Sequence, residues 1–523
     1  MNRNQLYESM EHIDDRVLER SEKRKISWKR WRMGAVAAVL VAAVALGVAL
    51  QPTVRVGQNS GYTTGDAAEP MAVKATALRV AQYPNMAPYP DESQYEIGGD
   101  KADAGPEASG VPGSGESGAQ ETFDAEAYSK AHDAWWESVQ AQRRDTGYAQ
   151  GLESFWEKST SVFLSGAPGE NRAYSPLNVY MALGMLAELT EGDSRQQVLD
   201  LLGASDMESL RSQANDLWNA NYWNDGVTAS VLASSLWLRE DISYVDSTLE
   251  TLADTYYASS FQGEMGSPEL DQMFRDWLNE QTGGLLEDQV GDLSLDPDTV
   301  LALATTLYFR AKWSQEFSES ANVTQAFHGP EGDVDAEFMR SSDTRFYYWG
   351  DRFGAVGLGL ANRGTMWFLL PDEGTTPEEL LQDGQAMEFL FSEKLSEKGT
   401  NAWENNKLLT VNLSVPKFDI NSQTDLLGGL ETLGVTDVLY PELADFSSTT
   451  QDEELVYLSQ AQHGVRVAIN EEGVTAAAYT AVLASTSTEP PEEEIDFVLD
   501  RPFLFCVTSQ DDLPLFVGVV NQP

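Results

Sequence analysis

From residue 148 to residue 523 the chain carries apolar runs of two kinds, and their order limits its fold more than any other feature. Helix-period stretches come first, notably 151–164 and 177–189. Strand-like runs dominate the rest, at 301–309, 365–370, 408–418, 455–470 and 513–520. Helices early and strands late predict an α+β fold, with helices packed around a large, mainly antiparallel sheet. At 523 residues, 42% of them apolar and 10% aromatic, the chain can bury one large core or two modest ones. No internal repeat is visible.

Charge and titratable chemistry remove several functions. The chain holds 34 basic and 83 acidic residues, a formal charge of -49. A phosphate-binding surface needs a basic footprint, so nucleic acid is excluded as a partner. The balance suits the solubilising surface of a secreted or cell-surface protein; a preference for basic partners is the sharper alternative. Cys506 is the one cysteine, so no intramolecular disulfide forms. It lies in the apolar run Phe503-Leu504-Phe505-Cys506-Val507 with no basic neighbour, which reads as a core thiol and not a nucleophile. Beyond residue 148 there are two histidines, His328 and His463, and neither belongs to an HExxH or other metal pair. There is no GxSxG elbow. No catalytic residue, metal site or cofactor is expected, and the chain does not read as an enzyme.

The N-terminal region has its own logic. Residues 23–32 hold six basic residues and no acid, and 34–50 are uncharged and built from Ala, Val, Leu and Gly. Seventeen residues at about 1.5 Å each span roughly 26 Å, enough for a short membrane helix. The flanking charge puts a cytoplasmic tail at 1–33, a transmembrane anchor at 34–50 and all that follows outside the cell. A cleaved signal peptide is the alternative, disfavoured by the long charged region ahead of the apolar run. Residues 51–147 read as an acidic Gly/Pro/Ser-rich linker, disordered to about 120, with a helical segment near 123–144. That segment sets Tyr128, His132, Trp135, Trp136 and Val139 along one side. The globular domain is 148–523.

A set of short motifs then appears in order. Asn171-Arg172-Ala173-Tyr174-Ser175-Pro176-Leu177 opens a buried helix, and Trp277 precedes Thr282-Gly283-Gly284. Tyr308-Phe309-Arg310-Ala311-Lys312-Trp313, Leu370-Pro371-Asp372-Glu373-Gly374, Val415-Pro416-Lys417-Phe418 and Ala444-Asp445-Phe446-Ser447 follow. Next come Glu471-Glu472-Gly473-Val474-Thr475-Ala476-Ala477-Ala478-Tyr479-Thr480, a polar Pro-containing stretch, Asp500-Arg501-Pro502-Phe503-Leu504-Phe505 and Phe516-Val517-Gly518. The ordered set resembles the serpins, protease inhibitors that work by loop cleavage, and covers about residue 150 to 523. The bacterial, envelope-attached members look most similar, and the N-terminal tail resembles those ahead of membrane helices in Gram-positive envelope proteins.

The resemblance implies a mechanism and site residues. Serpins hold the main sheet one strand short; a protease cuts an exposed loop, and the hinge side inserts as a new central strand with the acylated protease attached. The hinge here is Glu471 to Thr480. If Val474, Ala476, Ala478 and Thr480 face inward, each is small or β-branched and fits a packed core, while the bulky Tyr479 faces outward. The family usually has Thr or Ser at Val474 and a small residue at Tyr479. Where strands must part, in the shutter, the family's Ser, Asn and His correspond to Asn178, Thr305 and His463, beside Ser175. An amide and a hydroxyl have exchanged sides there, which keeps the donor and acceptor count; a satisfied core histidine is the plainer reading of His463. At the top of the sheet, in the breach, Glu471 is placed to pair with Lys417 beside Trp313, and a solvated pair of no consequence is the alternative.

Counting forward from Gly473 and back from Pro490-Pro491 puts the reactive bond at Ser487–Thr488. The loop 481–488 contains only Ala, Val, Leu, Ser and Thr, which suits the shallow pocket of an elastase-like or subtilisin-like serine protease, with papain-like cysteine proteases second. A non-inhibitory serpin serving as a binding module is the rival reading. A monomer is expected. The chain should fractionate with membranes, with residues beyond 50 open to protease added to intact cells. A mature N-terminus mapping just after Leu50 would make the protein secreted and the anchor reading wrong.

Overall fold

A computed structural model describes residues 75–523, apart from 91, 98–121, 145, 166–168, 285–290, 292, 362–363, 393–401, 451, 453–455 and 475–490. The tail, the anchor and the first part of the linker lie outside the described residues, as do Thr475 to Thr480 of the hinge and the Ser487–Thr488 bond. Among the described residues no helix is long and apolar enough to cross a membrane.

Two sheets and a set of helices make the domain. The first sheet is built from β1 (Ala75–Arg79), β5 (Trp223–Asn224), β6 (Ala229–Arg239), β7 (Ala258–Gly263), β8 (Leu301–Lys312), β14 (Phe418–Asp425), β15 (Leu458–Ile469) and β16 (Gly473–Val474). It runs in the order β1-β7-β6-β8-β16-β15-β14, with β5 beside β6. The second runs β17-β13-β10-β11-β12-β18-β19-β4, with β9 beside β10. Its strands are β4 (Arg172–Tyr174), β9 (Val323–Gly329), β10 (Gly332–Trp349), β11 (Phe353–Gly359), β12 (Thr365–Pro371), β13 (Asn406–Pro416), β17 (Glu494–Val498), β18 (Phe503–Thr508) and β19 (Pro514–Val520). Strands β2 (Glu96–Ile97) and β3 (Thr122–Phe123) form a separate small ribbon. Most pairings are antiparallel, in keeping with the α+β expectation. Cys506 is buried in β18 opposite Trp367.

The helices are α1 (Ala125–Gln142), α2 (Glu153–Leu164), α3 (Pro176–Leu189), α4 (Gly192–Leu202), α5 (Met207–Asn221), α6 (Asp246–Thr255) and α7 (Pro268–Gln281), with shorter ones later. The alternation of β8 shows why both faces of the first sheet are covered. Leu303 and Leu307 enter the main core, which includes the wholly buried α3, while Ala302 and Ala304 enter a second cluster under α7. In that second cluster Trp237, Phe261, Phe274 and Trp277 fill the space that the small residues leave. Ser175 caps α3 by accepting from the Asn178 N–H (3.3 Å), and Pro176 occupies its first turn. Ser267 and Pro268 start α7 the same way. Such starts satisfy an orphan N–H and preset φ for the helix.

The linker reading holds less of the chain than expected. Residues 75–79 pair antiparallel with β7, and Tyr83, Met86 and α1 pack on the main core. These contacts use single, widely spaced apolar side chains against an existing surface, so no periodicity announces them.

Glu188 of α3 is buried and accepts both Arg211 Nε (2.6 Å) and Nη2 (2.7 Å) from α5, with the Tyr256 hydroxyl at 3.1 Å. Burial, with the Glu188 charge beside it, pushes the Tyr256 phenol well above its usual range. Arg211→Met would leave a buried carboxylate short of two charge-assisted bonds. Chemical unfolding should show a loss of about 2 kcal/mol, and Arg211→Lys a smaller one.

Candidate functional site

The first sheet has one irregular seam. Strands β8 and β15 run parallel and pair directly from Leu301↔Leu458 to Leu307↔Val465. At the upper end β16 stands between them: Gly473 pairs with Lys312, Val474 with Ala311, and Val474 with Ile469. This two-residue strand is antiparallel to both neighbours. Val474 points into the core and is 1% exposed. Gly473 is required by space, because a Cβ there would lie 2.2 Å from the Ala311 carbonyl oxygen. The chain that leaves Val474 is the stretch 475–490.

The turn between β15 and β16 is held by side chains that converge from several elements. Asn470 Oδ1 accepts from the N–H groups of Glu472 (3.0 Å) and Gly473 (3.2 Å), and Asn470 N donates to the Gly473 carbonyl (3.0 Å). Trp313 is buried, donates through Nε1 to the Asn470 carbonyl (2.8 Å), and its backbone N–H donates to the Glu472 carbonyl (2.9 Å). The Glu471 carboxylate pairs with Lys417 Nζ (2.6 Å) and accepts from Asn322 Nδ2. Lys417 also reaches Glu337 (3.2 Å). Burial raises the Glu471 carboxyl, but the Lys417 and Asn322 bonds outweigh it and hold the group below its usual range. Lys417 is held above its usual range: partial burial works against the charge, and Glu471 and Glu337 overcome it.

Lower on the seam, His463 is buried at 1% exposure opposite Thr305 in the parallel register. Its Nε2 accepts from the Ser175 backbone N–H (3.0 Å), which can only donate. The neutral ring therefore carries its proton on Nδ1 and donates it to Thr305 Oγ1 (2.9 Å), across the β8–β15 pairing. The Tyr174 ring packs edge-on at 5.9 Å. Burial pushes the His463 pKa down to about 3.

A main sheet with a parallel seam, a two-residue strand standing between the seam's two walls at its upper end, and the Thr305–His463 bond lower down make up the site. A family model described as serpin (serine protease inhibitor) matches residues 159–523. The chain belongs to the serpin family. It is 29% identical over 373 residues to plasminogen activator inhibitor 1 of Sus scrofa, covering 68% of this chain and 87% of that one. It is 30% identical over 375 residues to plasma serine protease inhibitor of Mus musculus, covering 69% and 87%. Among solved structures, the thermophilic serpin tengpin in its native state superposes with a TM-score of 0.64 at 23% identity, covering 73% of this chain and 95% of that one. Arabidopsis AtSerpin1 in its native stressed conformation gives 0.60 at 25% identity, covering 73% and 99%.

The structure brings together Glu471, Lys417 and Trp313, and also Thr305 and His463. It does not bring in the Asn178 side chain. Asn178 is fully buried, but its Oδ1 and Nδ2 make no hydrogen bond, and only its backbone serves, as donor to the Ser175 cap. The expected exchange of an amide for a hydroxyl therefore does not operate here; the Ser175 main chain supplies the third contact. Asn470, Asn322 and Glu337 were not anticipated. Asn470 carried a signal, since an Asn ahead of Glu-Glu-Gly favours a side-chain-closed turn. Asn322 and Glu337 carried none, being brought in from remote strands and loops.

The histidine has a measurable consequence. Its folded pKa lies below the unfolded value near 6.5, so the unfolded chain takes up the proton first as pH falls. The contribution is fully present above about pH 6.5 and is lost progressively toward pH 3. Between pH 7.5 and 5 the wild type should lose about 2 kcal/mol more than His463→Gln in chemical unfolding. Equal slopes would mean that His463 is not a buried neutral ring.

Proposed function

We propose that this serpin inhibits serine proteases as a suicide substrate, outside the cell and tethered through residues 34–50. Members of the family are generally serine protease inhibitors. The observation that carries the reading is β16: the hinge has already placed Gly473 and Val474 in the slot, antiparallel to both walls, with Val474 inward. Continuing that strand replaces the parallel β8–β15 ladder by two antiparallel ones, and alternation then sends Ala476, Ala478 and Thr480 inward after Val474.

The protease serine attacks the Ser487 carbonyl, the Ser487–Thr488 bond breaks, and the Thr488 amine leaves with a proton. The resulting ester joins Ser487 to the protease. Insertion of residues 475–487 moves that ester about 43 Å, at about 3.3 Å per residue, before water can cleave it. Elastase-like and subtilisin-like proteases match the small side chains of 481–488.

Incubation with such proteases should yield a complex that survives denaturing electrophoresis, and a released fragment beginning at Thr488. Ala476→Arg or Ala478→Arg should convert inhibitor to substrate, because a buried charge without a partner costs several kcal/mol. Arginine at Thr475 or Ala477 should do less. Clean cleavage of the wild type with no complex would point to a non-inhibitory member, and equal damage at all four positions would overturn the inward assignment.

A further inference from the structure

Residues 75–90, 122–144 and 146–148 lie outside the matched serpin region, yet they make a belt of contacts that starts at the β7 edge of the first sheet and runs over the neighbouring helices and turns. Strand β1 pairs with β7, and Arg79 forms an ion pair with Asp246 at the start of α6. Ala81 N donates to Ser259 Oγ (3.1 Å). Tyr83 packs against Trp218 of α5 and Tyr257, and its hydroxyl donates to Gln281 Oε1 at the end of α7 (3.0 Å). Tyr89 N donates to the Asp225 carbonyl (2.9 Å), and Trp135 Nε1 donates to Asp225 Oδ2 (3.0 Å). The belt ends on α5 through Arg144–Asp216 and on the β18–β19 turn through Tyr148–Asp511 (2.7 Å).

The direction of strain gives these contacts a meaning. Admitting a strand between β8 and β15 moves β6, β7 and β8 away from β15 by about one strand spacing, 4.8 Å. That displacement is toward the belt, whose last tie is to a turn of the second sheet. The belt also reaches β8 itself: Arg310 donates to the Gly226 (2.6 Å) and Val227 (3.1 Å) carbonyls of the same turn whose Asp225 receives Trp135 and Tyr89.

We propose that the belt is a brake on sheet opening, holding the slot closed until loop cleavage supplies the driving force. The inference rests on the insertion reading above. In the full-length chain, Tyr83→Ala and Trp135→Ala should speed spontaneous conversion, on mild warming, to a form that melts higher and no longer traps protease. The rate should rise about tenfold, as expected for losing one or two net contacts in the barrier. Tyr83→Phe keeps the ring and Trp135→Phe keeps an aromatic ring, though a smaller one; both lose the donated bond and should give a smaller rise, and they also answer the case in which an alanine variant does not fold. Variants that melt lower than wild type but convert at the wild-type rate would show the belt to be ordinary packing and overturn the brake alone. If loop cleavage fails to raise the melting temperature even of the wild type, insertion itself is wrong and the brake falls with it.

Discussion

The parallel ladder between β8 and β15 is the contact on which the rest of the molecule turns. It is a sound pairing, with β8 buried, β15 half-buried, and side-chain bonds from Thr305 to His463 and from Ser459 to the Leu301 carbonyl crossing it. Parallel pairing is slightly less stable per residue than antiparallel pairing. The seam is one of two parallel pairings in the sheet, the other being β6–β7, and it is flanked by β6–β8 and β14–β15, which are antiparallel over eight or more residues. At position 473, where β16 begins, only glycine fits against the Ala311 carbonyl.

Polar groups along the seam are placed so that closure leaves few of them orphaned. His463 is matched on both nitrogens and kept neutral by burial, which costs nothing at neutral pH but forbids a charge in the middle of the sheet. At the top, Glu471 and Lys417 form a partly screened pair whose value is raised by Asn322 and Glu337 acting as a network. The exceptions include Thr306 Oγ1 of β8, Gln460 Oε1 of β15 and Asn178, a buried amide with neither end satisfied, and such a group normally costs about 1–3 kcal/mol.

Much of this was legible in the residues. The helices at 153–164 and 176–189 and strands β8, β12, β13, β15 and β19 announce themselves by long apolar runs, because each is buried on one or both faces. The Glu471–Lys417 pair and the Thr305–His463 contact followed from family resemblance, and the structure puts their atoms within bonding distance. The role given to Asn178 did not survive, since a residue type that suits a network says nothing about whether its side chain reaches it. The belt escaped notice because sparse anchors such as Ala75, Tyr83 and Met86 make no pattern when they cover an edge and not a core.

By itself the chain's order of residues determined the class of fold, the absence of a recognisable catalytic set, and a hinge of small side chains after Glu471-Glu472-Gly473. These are properties of periodicity and residue size, which act locally and are carried by each segment alone. Tertiary structure decided which strand stands beside which, that β16 enters between β8 and β15, that the Ser175 main chain completes the contacts of His463, and that residues 75–90 brace the far edge. Each of these joins residues separated by more than a hundred positions or by an unpatterned stretch of chain. Their energy comes from burial and hydrogen bonds that exist only once the sheet has formed, so no local window of sequence contains them.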